Sequence, residues 1–134
     1  RRAALLEQEG ATVATVLEKQ FASIAGLGAN PPGVHTLAYN TSKGAVVNFT
    51  RALAAEWGPQ GISVNAICPG FFATRLSQGL LEKIEAQVIA ATPLRRLGDD
   101  TDLQGAVVFL ASRAARHITG QCLVVDGGMS VVLG

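Results

Sequence analysis

The sequence is short of the side chains that most protein chemistry uses. Among its 134 residues are one tyrosine, one tryptophan, one methionine, two cysteines and two histidines. Aromatics make up 5%, charged residues only 16%, and the net charge is +1. Eight arginines and three lysines are scattered among ten acids. With no basic stripe and few rings to stack on bases, nucleic acid is excluded as an expected partner. Cys68 and Cys122 share no CxxC spacing. They read as reduced, buried thiols of a cytosolic protein, and neither a disulfide nor a metal site is expected. No apolar run reaches the ~18 residues of a membrane span, so no membrane partner is expected either. The first ten residues, "RRAALLEQEG", carry charge but no apolar h-region, unlike a signal peptide. The expected location is the cytoplasm.

What is abundant is apolar surface. Apolar residues are 49% of the chain and the mean hydropathy is +0.32. A chain of this length makes one domain with a real core. So oily a composition predicts helices buried on more than one side, or a subunit with large interfaces; a homo-oligomer, dimer or tetramer, is expected.

Elements follow from the punctuation. "ATVATV", residues 11–16, reads as a short strand. Residues 23–36, rich in Gly and Pro, read as a loop. From about 38 to 57 the apolar positions Ala38, Ala45, Val46, Phe49, Leu53 and Ala54 recur at helical spacing, and Gly58-Pro59 ends the run. Residues 61–70, "GISVNAICPG", predict a strand covered on both faces. "LLEKIEAQVIAAT" predicts an amphipathic helix ended before Pro93. A further helix opens in "GDDTDLQGAVVFLAS", with Asp99 as N-cap and Thr101 with Gln104 as a capping box. "CLVVDGG", 122–128, predicts a last buried strand whose end turns at Asp126-Gly-Gly. Apolar strands alternating with helices mean βαβ units, a parallel sheet and helices on both faces. Ligands then sit beyond the carboxyl ends of the strands, at loops 23–38, 68–79 and 126–130.

The single tyrosine stands at one of these places. Tyr39 and Lys43, at i and i+4, share a helix face in the first turn. An ammonium beside a phenol favours the phenolate, and a helix N-terminus acts in the same direction. The pair can therefore serve as a proton donor and acceptor. On spacing alone it is equally a surface lysine beside a half-buried tyrosine. Ser23 lies on the loop after the first predicted strand, and "CPGFFAT" brings Pro69, Gly70, Phe72 and Thr74 to the end of the second. His35 reads as a solvated loop residue, and His117 as a charge at a helix C-terminus. Arg95 and Arg96 read as partners of Asp99, Asp100 or Asp102. Cys68 reads as a small hydrophobe. Phe71 and Phe72 either shape a pocket or mobile lid over 71–85 or enter the core.

Taken together, Ser23, "YNTSK" at 39–43, "VNAICPGFFAT" and "ITGQCLVVDGG" resemble the C-terminal half of a short-chain dehydrogenase/reductase, over three quarters of the chain. The branch that the loops resemble most is the gluconate 5-dehydrogenase-like one, a neighbour of the 3-oxoacyl-carrier-protein reductases. The resemblance implies a Rossmann-like doubly wound sheet and NAD or NADP as cofactor. It implies Tyr39 as acid/base and Lys43 as ligand of the nicotinamide ribose. Ser23 would bind the substrate oxygen, and Pro69, Gly70, Phe72 and Thr74 would line the nicotinamide. The expected reaction is hydride transfer between nicotinamide and a secondary alcohol or ketone, a sugar acid or polyol, with a 3-oxoacyl thioester as the alternative substrate.

The family's N-terminal, nucleotide-binding half has no counterpart in these residues. No G-x-x-x-G-x-G turn follows a first strand, and Gly26-Leu-Gly28 opens no helix. The expected organisation is a single partial domain over 1–134, with 1–22 an irregular junction and 23–134 the catalytic half. It would be a fragment or a truncated gene product. An inactive scaffold or oligomerisation module is the alternative function.

Overall fold

The computed structural model describes residues 22–30, 35–73 and 78–132. The strand expected over 11–16 and most of the junction before Ser23 lie outside them, as does Thr74.

The centre of the fold is a parallel pair of four-residue strands, β1 (Ala66–Pro69) and β2 (Cys122–Val125). Ala66 is in register with Cys122, and Pro69 with Val125. Side chains alternate between the two faces of such a pair. On one face Ala66, Cys68, Cys122 and Val124 pack with Ala22 and with Val46 and Val47 of helix α1 (Leu37–Trp57). On the other, Ile67, Leu123 and Val125 pack with Leu103, Ala106, Val107 and Leu110 of helix α3 (Asp100–Ala111), joined by Ala115 and Ile118. A helix on each face covers the ladder, which is why both strands read as unbroken apolar runs. Between them in sequence lies α2 (Gln78–Ala91).

Both strands are shorter than expected. Residues 62–65 carry the chain into β1 without ladder pairing, because its neighbour turns away at Gly120 (φ +71). One backbone bond remains there, from Gly120 N–H to the Val64 carbonyl (2.7 Å), and side chains supply the rest. Val64 N–H donates to Thr119 Oγ1 (3.0 Å), Asn65 Nδ2 donates to the Ile118 carbonyl (2.9 Å), and Gln121 N–H donates to Asn65 Oδ1 (3.0 Å). At the other end, positive φ at Gly127 and Gly128 takes the chain out of the β region after Val125.

Helix boundaries fall close to expectation, and two details differ. The reciprocal cap of α3 joins Asp99 and Asp102, not Thr101 and Gln104. Asp99 Oδ1 accepts from Thr101 N–H (2.8 Å) and Asp102 N–H (3.3 Å), while Asp99 N–H donates to Asp102 Oδ2 (2.9 Å). Extended backbone at Asp99 makes it the cap, so the third helical residue is Asp102. His117 is not at the end of α3 either: the helix stops at Ala111, and an intervening 3-10 turn over Arg113–Ala115 leaves His117 exposed beyond it.

Asn65 is buried and joins two backbone groups of the facing segment. Asn65→Ala strands both. Urea unfolding should show a loss of about 1–3 kcal/mol, with the slope unchanged.

Candidate active site at the carboxyl ends of the strands

The site is built from a turn, a helix start and a strand end. Ser23 follows Ala22, whose side chain packs against Cys68 and Val47. That contact seats Ser23 alongside the end of β1. Ser23 is 9% exposed and caps a 3-10 turn over Ile24–Gly26, its Oγ accepting from Ala25 N–H (3.2 Å). The hydroxyl proton of a serine used in this way is still available to donate.

The turn sits directly on the backbone of α1. A Cβ at Gly26 would lie 2.6 Å from the Lys43 carbonyl carbon and oxygen and 2.9 Å from Gly44 N. Only a residue without a side chain allows this approach, and Gly44 is the facing residue of α1. The contact places the turn that begins at Ser23 against Lys43. One turn earlier in α1, Tyr39 is 50% exposed, and Lys43 Nζ lies 5.6 Å from its ring centroid. The i, i+4 geometry inferred from spacing is thus present, with the ammonium over the ring rather than on a remote face. The Tyr39 carbonyl also accepts from Ser42 Oγ (2.7 Å), and Asn40 Nδ2 donates to the Gly28 carbonyl (3.1 Å).

Pro69 closes β1, and Gly70 N–H donates to the Val125 carbonyl (3.0 Å). A Cβ at Gly70 would lie 2.7 Å from Asp126 Cβ, so the two strands leave the sheet in tight contact. Phe72 follows two residues after Gly70. It bridges to Gly98, where a Cβ would meet its ring at 2.5 Å. Phe71, Phe72, Leu94, Leu97, Val125 and Gly127 line a groove of about 430 Å³. The turn that begins at Ser23 thus lies against Lys43 of α1, Pro69 and Gly70 end β1 beside Asp126, and Phe72 lies in the groove wall.

Charged groups around the groove are already paired. Arg96 makes a two-pronged bond to Asp102 (2.7 and 2.6 Å), the pairing expected of it. The Arg96 hydrogen bond holds the Asp102 carboxyl well below the usual range, and hydrogen bonds from the Thr101 hydroxyl and N–H lower Asp99. Arg95, with φ of +55°, donates to the Ala90 carbonyl rather than to an acid. Burial pushes the Asp126 carboxyl up, but N–H bonds from Ser130 (2.7 Å) and Gly128 (2.8 Å) outweigh it and lower it overall. The Asp126-Gly-Gly turn lies against Thr92 and Pro93. Cys68 is fully buried. Burial first, and Cys122 beside it second, push its thiol up to about 12, which keeps it protonated and inert. His35 is exposed.

Gly26 and Asn40, which make the crossing, carry no catalytic side-chain chemistry that would single them out in the sequence. A glycine three residues after the loop serine, with a second glycine directly after Lys43, is the pattern that marks the close crossing.

A family model described as enoyl-(acyl carrier protein) reductase matches residues 3–130. The chain belongs to the short-chain dehydrogenase/reductase family. Gluconate 5-dehydrogenase of Gluconobacter oxydans is 42% identical to it over 97 residues, 71% of this chain and 38% of that protein. A 3-oxoacyl-[acyl-carrier-protein] reductase of Staphylococcus epidermidis is 39% identical over 107 residues, 80% of this chain and 43% of that one. Among solved structures, a gluconate 5-dehydrogenase from Burkholderia cenocepacia in complex with NADP and tartrate superposes with a TM-score of 0.78 at 34% identity, over 84% of this chain and 44% of its own. The chain thus spans about two fifths of the length of the curated relatives, and its sheet is part of the family's Rossmann fold. No described helix is long and apolar enough to cross a membrane.

Two outcomes test the site's construction. Gly26→Ala forces the turn off α1 and should lower stability by roughly 1–3 kcal/mol in a thermal melt. The folded-state pKa values of Asp99, Asp102 and Asp126 are all lowered. Their contribution is complete above the ordinary carboxylate range near 4 and is lost as pH falls below it, because the unfolded chain then binds more protons. Urea midpoints should fall between about pH 4.5 and 3, and Asp126→Asn should flatten that fall.

Proposed function

We propose that this chain is the catalytic portion of an NAD(P)-dependent oxidoreductase acting on a secondary alcohol or ketone, of the sugar-acid or polyol class. The observation that carries the reading is the Tyr39–Lys43 pair. A phenol with an ammonium over its ring sits at a helix start beside the close crossing that follows Ser23. The donor set suits a nicotinamide nucleotide and a carbonyl oxygen: two hydroxyl groups and one ammonium at the mouth of a parallel sheet. When bound, nicotinamide supplies or takes the hydride. Tyr39 Oη gives the proton to the carbonyl oxygen in reduction and takes it from the alcohol in oxidation. Lys43 Nζ holds the ribose hydroxyls. Ser23 Oγ donates to the substrate oxygen and stabilises charge that develops there. Pro69, Gly70, Phe72 and Thr74 line the nicotinamide side, Thr74 from outside the described residues.

The gluconate dehydrogenases among the relatives support a sugar-acid substrate. A 3-oxoacyl thioester is the second reading, favoured by the longer match to the 3-oxoacyl reductase. A homo-oligomer is consistent with Phe49 on α1 and Val108 and Phe109 on α3, large apolar side chains left exposed on both helices.

Fluorescence titration with NADH and NADPH should give saturable binding. Absence of binding at millimolar cofactor would leave the inactive-scaffold alternative. With turnover measured on gluconate-type and 3-oxoacyl substrates, Tyr39→Phe should cut kcat about 100-fold or more while cofactor affinity survives. Lys43→Ala should damage both, and near-normal turnover in Tyr39→Phe would overturn the assignment.

A further inference from the structure

We propose that Asn40 is a positioning residue, which fixes the spacing between Ser23 and the Tyr39–Lys43 pair by clasping the serine loop to the start of α1. The inference rests on the catalytic roles proposed above for those three residues. Asn40 immediately follows Tyr39, and its Nδ2 donates 3.1 Å to the carbonyl of Gly28. Gly28 lies five residues after Ser23, just past the 3-10 turn. The turn touches α1 at two places one helical turn apart. Gly26 lies against the backbone of Lys43 and Gly44, and Gly28 hangs from Asn40. Asn40 and Gly44 are i and i+4, so one stripe of α1 makes both contacts. A single contact leaves the loop free to pivot, whereas two set its distance and its angle.

The other half of the Asn40 amide argues that the residue is not there for stability. Its Oδ1 is shielded from solvent and has no hydrogen-bond partner among the described residues. A shielded acceptor without a donor is a net cost to folding. The Gly28 carbonyl is exposed, so water can replace the Nδ2 bond when Asn40 is removed. An apolar residue of the same outline therefore removes a cost and loses little. What it also loses is the clasp, and a displacement of about 1 Å at a catalytic group is worth up to about a hundredfold in rate. A stability cost at the residue next to the acid/base is the pattern expected where geometry outweighs packing.

The test uses two variants in the whole chain. Asn40→Leu removes both the donor and the orphaned acceptor; Asn40→Asp keeps the outline without the donor. In both, the Ala25, Gly26 and Leu27 amides, bonded within the turn, should exchange with deuterium about tenfold faster. Amides in the middle of α1 should keep wild-type rates, and the Asn40→Leu melting temperature should equal or exceed wild type. kcat should fall about tenfold or more with KM within about twofold. Wild-type exchange at residues 25–27 in either variant overturns the proposal. So does a lowered melting temperature in Asn40→Leu with exchange raised throughout α1, which is the mark of a structural role. Unchanged kcat despite a loosened turn overturns it too. Wild-type chain that protects these amides but turns over no substrate overturns the oxidoreductase reading and leaves the clasp standing.

Discussion

The described residues are arranged about a parallel ladder only four residues long, covered by a helix on each face. Parallel pairs are rarely left open to water, because their crossovers place helices above and below. Here α1 and α3 supply the covers, and the alternation of side chains along β1 and β2 assigns each residue to one of them. Cys68 and Ile67 are neighbours in sequence and lie in different cores. The ladder stays short because glycines turn β2 away at both ends, and Asn65 and Thr119 take over the hydrogen bonding at one of them.

The same ladder points its carboxyl ends at the site. Ala22 packs into the α1-side core beside Cys68, so the core fixes where Ser23 leaves the sheet. Gly26 then brings the chain onto the backbone of α1 at Lys43. Two glycines replace what would otherwise be side-chain bulk, and the turn that begins at Ser23 meets α1 at that crossing. The groove with Phe72 in its wall is built from the loop after β1, the loop before α3 and the Asp126-Gly-Gly turn. Its charged rim is satisfied internally by Arg96 and Asp102.

Much of this was legible in the residues. Helical periodicity and the Gly58-Pro59 stop placed α1 within a residue. The unbroken apolar runs announced strands buried on both faces. The i, i+4 spacing put Lys43 by Tyr39, and the motif set carried the family, whose model matches residues 3–130. The errors have local physical causes. The start of β1 was overrun because an apolar residue such as Val64 looks the same whether its N–H bonds to a strand or to a threonine side chain. Asp99 was recognised as the α3 N-cap, but the capping box was placed two residues late, since Asp, Thr and Gln in succession offer several boxes and only backbone φ and ψ at Asp99 choose among them.

By itself the sequence determined the class of fold, the family and the i, i+4 placement of the Tyr39–Lys43 pair. These follow from periodicity, spacing and residue chemistry, which are local properties of the chain. Only the tertiary structure decided which groups meet. Gly26 and Lys43 are seventeen positions apart, and nothing in either neighbourhood states their contact; it arises because both flank a core that Ala22, Val47 and Cys68 fill together. The bond from Asn40 to Gly28 has the same origin: distances across a fold are set by what is packed between, and packing is a property of the whole chain.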